Sequence, residues 1–135
     1  MLNYNLIIGK LKKFLKNHNN KLNIYLIAIS VTLAILNIIF LKNIELGIFT
    51  TIFNNYFNDF LAAILILAYI NICLSFIDYE IKSLKILIPI ILIMSFVWEY
   101  TAIFIKQYSV FDYLDIMVYL IGTIVYWSII NILFK

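Results

Sequence analysis

Four apolar runs, each about as long as a bilayer is thick, follow one another along this chain with only short charged connections between them. A helix needs roughly 20 predominantly apolar residues to cross the hydrocarbon core. The runs Leu22–Leu41, Phe57–Ile77, Leu84–Ile105 and Tyr113–Phe134 all meet that length. The composition leaves few alternatives. Apolar residues make up 65% of the 135 positions and charged residues 13%. A water-soluble domain of this size has too little interior to hide that much apolar surface. The expected fold is therefore all-α, a polytopic membrane four-helix bundle occupying residues 22–135, with lipid as its solvent.

The first run is too long for a typical signal-peptide core and no small-residue cleavage pattern follows it, so it reads as a permanent span. Residues 1–21 form a separate basic segment. Ile7, Leu11, Phe14 and Leu15 recur at helical spacing among Lys10, Lys12, Lys13 and Lys16. That pattern predicts an N-terminal interfacial amphipathic helix lying on an anionic leaflet. The connection between the first two spans carries Ile48, Phe49, Ile52, Phe53 and Tyr56, and is expected to lie along the opposite interface as a short helix.

Lysine placement sets the expected orientation. Lys10, Lys12, Lys13, Lys16 and Lys21 precede the first span, Lys82 and Lys85 lie in the second connection, and Lys135 closes the chain. The other two connections hold only Lys42 and Lys106. The positive-inside rule then places both termini in the cytoplasm. Trp98 and Tyr100 fall toward the outer interface and Tyr25 and Trp127 toward the inner one, where amphipathic rings prefer to sit.

Several functions are excluded or weakened by what is absent. All ten basic residues counted in the +3 net charge are Lys, which argues against bidentate phosphate recognition and against nucleic-acid binding. The single Cys73 sits in an apolar run and reads as an inert buried thiol, and it allows no intrachain disulfide. His18, alone among Asn and Lys, reads as solvent-exposed. There is no Cys/His cluster for zinc, no nucleophile–histidine pair and no glycine-rich phosphate loop. The abundant Asn and Ile look like the coding bias of an AT-rich genome, so individual asparagines carry little weight.

The acidic residues carry the functional signal. In the expected topology Asp59 opens the second span, Glu99 lies late in the third, and Asp112 and Asp115 open the fourth, so three helices bring carboxylates to similar depth in the outer leaflet. Glu99 stands roughly 9 Å inside the end of its helix. A carboxylate at such depth is costly and normally faces the bundle interior. Alternatively, Glu99 snorkels or pairs with Lys106. Asp112, Asp115, Tyr119, Gly122 and Tyr126 follow at spacings of three, four, three and four, one polar and small-residue stripe that should face inward. Ser109 and Asp112 also fit a capping box, and Asp59 a helix cap. Ala62 and Ala63 would permit close helix approach. The expected acidic pocket thus comprises Asp59, Glu99, Asp112, Asp115 and Tyr119, with Gly122, Ala62 and Ser109 in structural roles. Asp59, Glu99 and Asp115 form a possible metal set, for which an oxygen-rich site suits Mg2+ or Ca2+. An ammonium group or exchangeable protons suit it equally.

The C-terminal half resembles the VanZ-like family of small bacterial membrane proteins. The likeness rests on the segment Trp98-Glu99-Tyr100, on Phe111-Asp112-Tyr113-Leu114-Asp115 and on Gly122, with Asn58-Asp59-Phe60-Leu61 matching an earlier polar motif. It departs from the family pattern at Ala102, Tyr119 and Tyr126, where Gln, Asn and a second Gly are usual. The resemblance implies a role in the cell envelope, with antibiotic resistance as the best-known example. Its expected partners are the lipid bilayer, an envelope lipid or lipid-linked substrate, and a second copy in a homo-oligomer. Two other classes fit the same residues: an intramembrane carboxylate or metal-dependent enzyme acting on a lipid-linked substrate, and a cation or proton transporter subunit.

Overall fold

The structure is a computed structural model that describes residues 8–9, 13–14, 16–41, 47, 50, 52–105 and 113–133. Its helices are α1 (His18–Ile39), α2 (Phe57–Ser75), α3 (Leu84–Ile105) and α4 (Tyr113–Ser128). A π-helical turn, Ile52–Tyr56, leads into α2, and a second one, Ile129–Leu133, ends α4. All four helices are long and apolar enough to cross a membrane. The chain is a membrane-spanning, all-α four-helix bundle.

Local sequence explains the ends. α1 starts four residues before Leu22 because the Asn17 side chain accepts a 2.9 Å hydrogen bond from the Asn19 amide and caps the first turn. α2 stops at Ser75. The chain then turns back on itself, with the amide of Tyr79 bonding the Leu74 carbonyl at 3.1 Å. Asp78 takes the left-handed conformation this reversal needs (φ 59°), which a short polar side chain tolerates better than most.

α2 and α4 form the central pair. α1 packs chiefly on α2, and α3 on α4. Gly122 sets the central spacing: a Cβ there would lie 2.7 Å from the Phe60 carbonyl oxygen and 2.8 Å from the Ala63 Cβ. Small residues at such a crossing let backbones approach where lipid supplies no hydrophobic drive. The expectation for Ala62 needs correcting in register. Ala63, fully buried, meets Gly122, whereas Ala62 is only partly buried at the edge of the core.

The bundle is polar within and apolar without. Asn23, Ser30, Asn37, Asn71, Ser95 and Thr123 are each at most 2% exposed, while Ile29, Ile38, Ile93, Phe96 and Trp98 are more than half exposed. In water this arrangement would leave apolar area uncovered on every helix. In lipid it is the low-energy one, since polar groups find partners inside and hydrocarbon meets hydrocarbon outside. α3 shows the rule most simply: its buried residues Leu87, Ile91, Ser95 and Glu99 recur every fourth position and form one stripe facing the bundle. Cys73 is a correction. It lies on the exposed face of α2 rather than in the interior. The inward positions there are Leu67, Ala68 and Asn71, and a residue two places beyond Asn71 points to the far side.

Much of the predicted N-terminal amphipathic helix lies outside the described residues. What is described is helical at 8–9, 13–14 and 16 and is fastened to the α2–α3 connection. Lys13 Nζ donates to Asp78 at 2.7 Å, and the Phe14 ring stacks on Phe76 with centroids 4.9 Å apart. His18 is exposed, as expected. Of the connection 42–56, the part described in continuous run is the π turn, which extends α2 instead of forming a separate helix.

Candidate functional site

The two ends of the bundle hold different polar groups. At one end, Tyr126 of α4 is fully buried and donates its hydroxyl proton to Asn23 Oδ1 of α1 at 2.8 Å. Asn71 of α2 donates to the same phenol oxygen at 2.7 Å. The Asn71 amide also clasps the backbone of Ile81, donating to its carbonyl at 3.0 Å and accepting from its amide at 2.8 Å. Three helices and a connection are thereby joined through neutral groups. Glu80 sits beside this network, accepting from Asn19 Nδ2 at 2.9 Å with Lys82 Nζ 3.3 Å away. A cleft of about 50 Å³ lies at this end too, between the N-terminal segment and the end of α2, lined by Lys13, Asn17, Asn20, Ser75 and Phe76.

At the other end the groups are charged. Tyr119, two turns before Tyr126 on the same stripe of α4, is 2% exposed. Its hydroxyl donates to Asp59 Oδ1 of α2 at 3.3 Å. Glu99 of α3 and Asp115 of α4 also lie within electrostatic reach of that hydroxyl. Each arrives for a local reason. Asp59 and Asp115 stand in the first turns of their helices, where a negative charge complements the helix dipole. Asp115 precedes Tyr119 by four residues and so shares its face. Glu99 ends the buried stripe of α3 and is 7% exposed, which makes it the most deeply enclosed of the three carboxylates.

Of the residues singled out in the sequence, the structure brings together Asp59, Glu99, Asp115 and Tyr119. Asp112 and Ser109 lie outside the described residues, as does Lys106. Gly122 acts one turn below, by letting α2 and α4 close. The possible metal set of Asp59, Glu99 and Asp115 does not assemble: among the described residues, no three His, Cys, Asp or Glu side chains gather closely enough to hold a metal ion. Their common neighbour is a phenol that presents a hydrogen-bond donor. The arrangement can attract a positive charge or share a proton among oxygens, and the face of an aromatic ring beside carboxylates suits an ammonium group.

Sequence reasoning passed over the asparagines of α1. Asn23, Ser30 and Asn37 follow one another at intervals of seven residues on the buried face of α1. That period marks a single helical stripe and was the available signal. Near the carboxylate end, Asn37 Nδ2 donates both to the Phe53 carbonyl at 2.8 Å and to Asn58 Oδ1 at 3.1 Å, tying α1 to the start of α2.

No family model matches the chain, and no curated protein or solved structure matches it.

Proposed function

We propose that this chain is a VanZ-like protein of the bacterial cell envelope, set in the plasma membrane with both ends in the cytoplasm, whose outward acidic site binds a cationic, amine-bearing envelope component, free or lipid-linked. The observation that carries this reading is the hydrogen bond from the buried Tyr119 hydroxyl to Asp59 at 3.3 Å, with Glu99 and Asp115, from α3 and α4, within electrostatic reach of the same hydroxyl. A carboxylate held in a low-dielectric interior is costly, and a cation bound nearby relieves that cost. An ammonium is favoured over a divalent metal because it does not require its oxygens to close into one tight coordination shell. It can instead donate separate hydrogen bonds to spaced carboxylates and lie against the ring. The outward direction rests on lysine placement, and the envelope role on the resemblance in the 98–122 segment.

The test is binding. The protein reconstituted in nanodiscs is titrated with a lysine-rich peptide as a primary-amine probe, and with its fully acetylated form as control. The wild type should bind the amine form only, and Glu99→Gln should weaken binding by about tenfold or more, the scale of one charge-assisted contact. Equal affinity of the wild type and Glu99→Gln would overturn the reading.

A further inference from the structure

The cleft between the N-terminal segment and the end of α2 draws its lining from two segments that differ in chemistry. The N-terminal segment contributes Lys13 and Asn17, one helical turn apart, with the Asn17 amide bonding the Lys13 carbonyl at 3.2 Å. Lys13 supplies an ammonium. Asn17 Oδ1 is taken by the Asn19 amide at 2.9 Å, which leaves Nδ2 as its donor. The end of α2 contributes Ser75 and Asp78. Ser75 gives its hydroxyl proton to the Ile72 carbonyl at 2.7 Å, which leaves lone pairs that accept. Asp78 supplies a carboxylate. Donors thus come from one segment and acceptors from the other. The Phe14 and Phe76 rings, stacked with centroids 4.9 Å apart, add an apolar part to the lining. The buried Asn20 holds Phe14 in place through a 3.1 Å bond to its carbonyl.

The place of the cleft limits what can fill it. Lys13 and Asn17 precede the first span, which begins at His18, while Ser75 ends the second and Asp78 follows it. That is the level of lipid headgroups. Lys13 and Asp78 pair with each other at 2.7 Å, but both side chains are about 70% exposed, so the pair contributes little and opens at small cost. An anion alone would meet Asp78, and a cation alone would meet Lys13. A ligand of both signs replaces the pair on both sides. At roughly 10–15 Å³ for each ordered water, about 50 Å³ takes a group the size of an ammonium or a phosphate, with the rest of the headgroup at the mouth. A primary ammonium can donate to Ser75 and Asp78 together, which the trimethylated ammonium of choline cannot.

We propose that this cleft binds the headgroup of phosphatidylethanolamine, with its ammonium on Asp78 and Ser75 and its phosphate on Lys13 and Asn17. The lipid then clamps the N-terminal segment to the α2–α3 connection, with Phe14 and Phe76 against its glycerol end.

The test is a lipid titration of the full chain in detergent micelles, followed by native mass spectrometry. The probes are dioleoyl phosphatidylethanolamine, phosphatidylcholine and phosphatidylglycerol, which differ only in headgroup. The wild type should hold one phosphatidylethanolamine about tenfold more tightly than either other lipid. Asp78→Asn, which keeps a residue tolerant of the left-handed turn, should bring phosphatidylethanolamine down to the level of phosphatidylcholine. It should leave phosphatidylglycerol binding equal or higher, because a repelling charge is gone. Ser75→Ala leaves the ion pair and the ring stack in place and should weaken phosphatidylethanolamine about threefold. Equal affinity of the wild type for all three lipids would overturn the site, and so would a preference that survives both substitutions. A preference lost in Glu99→Gln but kept in Asp78→Asn would place the amine at the carboxylates of the other end, overturning this inference while supporting the acidic-site reading. Soluble O-phosphoethanolamine separates the lipid from a free ligand of the same chemistry. It should compete only weakly, and competition as strong as that of the lipid would overturn the membrane source.

Discussion

Tyr119 and Tyr126 occupy the same stripe of the same helix, are equally buried, and do different things. Tyr126 exchanges hydrogen bonds with two asparagines and meets the chain at Ile81 through one of them. Tyr119 donates to Asp59 at 3.3 Å, with Glu99 and Asp115 within electrostatic reach. The difference teaches how a small membrane bundle divides its polar groups. Neutral amides and phenols that satisfy one another add about 1 kcal/mol per interhelical bond in lipid and fix which helices adjoin. Carboxylates do not repay their burial in that way. The proposed amine would offset that cost at the end that holds Asp59, Glu99 and Asp115.

The comparison can be strained from its structural side first. Gly122→Ala should give the largest effect, because its Cβ meets backbone as well as the Ala63 methyl. Forcing α4 from α2 should cost about 1–3 kcal/mol of folding stability and should disturb both tyrosines, as read by steric-trap or denaturant unfolding in bicelles. Tyr126→Phe comes next. It removes the donor to Asn23 and the acceptor of Asn71, and should destabilise by about 1–2 kcal/mol without altering binding of the amine probe. A Tyr126→Phe protein that kept its stability would mean the asparagine network holds nothing. Smallest of all is Lys13→Ala. Lys13 and Asp78 have side chains about 70% exposed, and so open an ion pair contributes within about 0.5 kcal/mol. Its loss should show only at low salt, as faster proteolysis of the N-terminal segment.

The four spans and their order could be read from the chain because length and hydropathy suffice when the solvent is lipid. The inward direction of Glu99 was readable too, since a carboxylate deep in an apolar run has few tolerable directions. Three things were not. The contact that brings α2 and α4 together falls on Ala63 rather than Ala62, a choice made by the rotation of α2 against Gly122 and invisible in a run where two adjacent alanines look alike. Cys73 looked interior because every residue around it is apolar, and in a membrane helix apolarity marks the outside as readily as the core. Asn23 and Asn37 looked like compositional noise in an asparagine-rich chain, and only their spacing of two heptads on α1 and their partners on other helices distinguish them from the asparagines of the connections. The metal set was out of reach for a related reason: helix faces can be counted along a sequence, but the distances between carboxylates on different helices cannot, and among the described residues no three gather closely enough.

The most direct test of this division sets Glu99→Gln beside Tyr126→Phe in one experiment, measuring amine-probe affinity and unfolding free energy on the same nanodisc preparations. The account predicts a crossed result: Glu99→Gln loses affinity with unchanged or higher stability, and Tyr126→Phe loses stability with unchanged affinity. If both substitutions lower stability alike and neither changes binding, the carboxylate end is as structural as the other and the functional assignment is wrong.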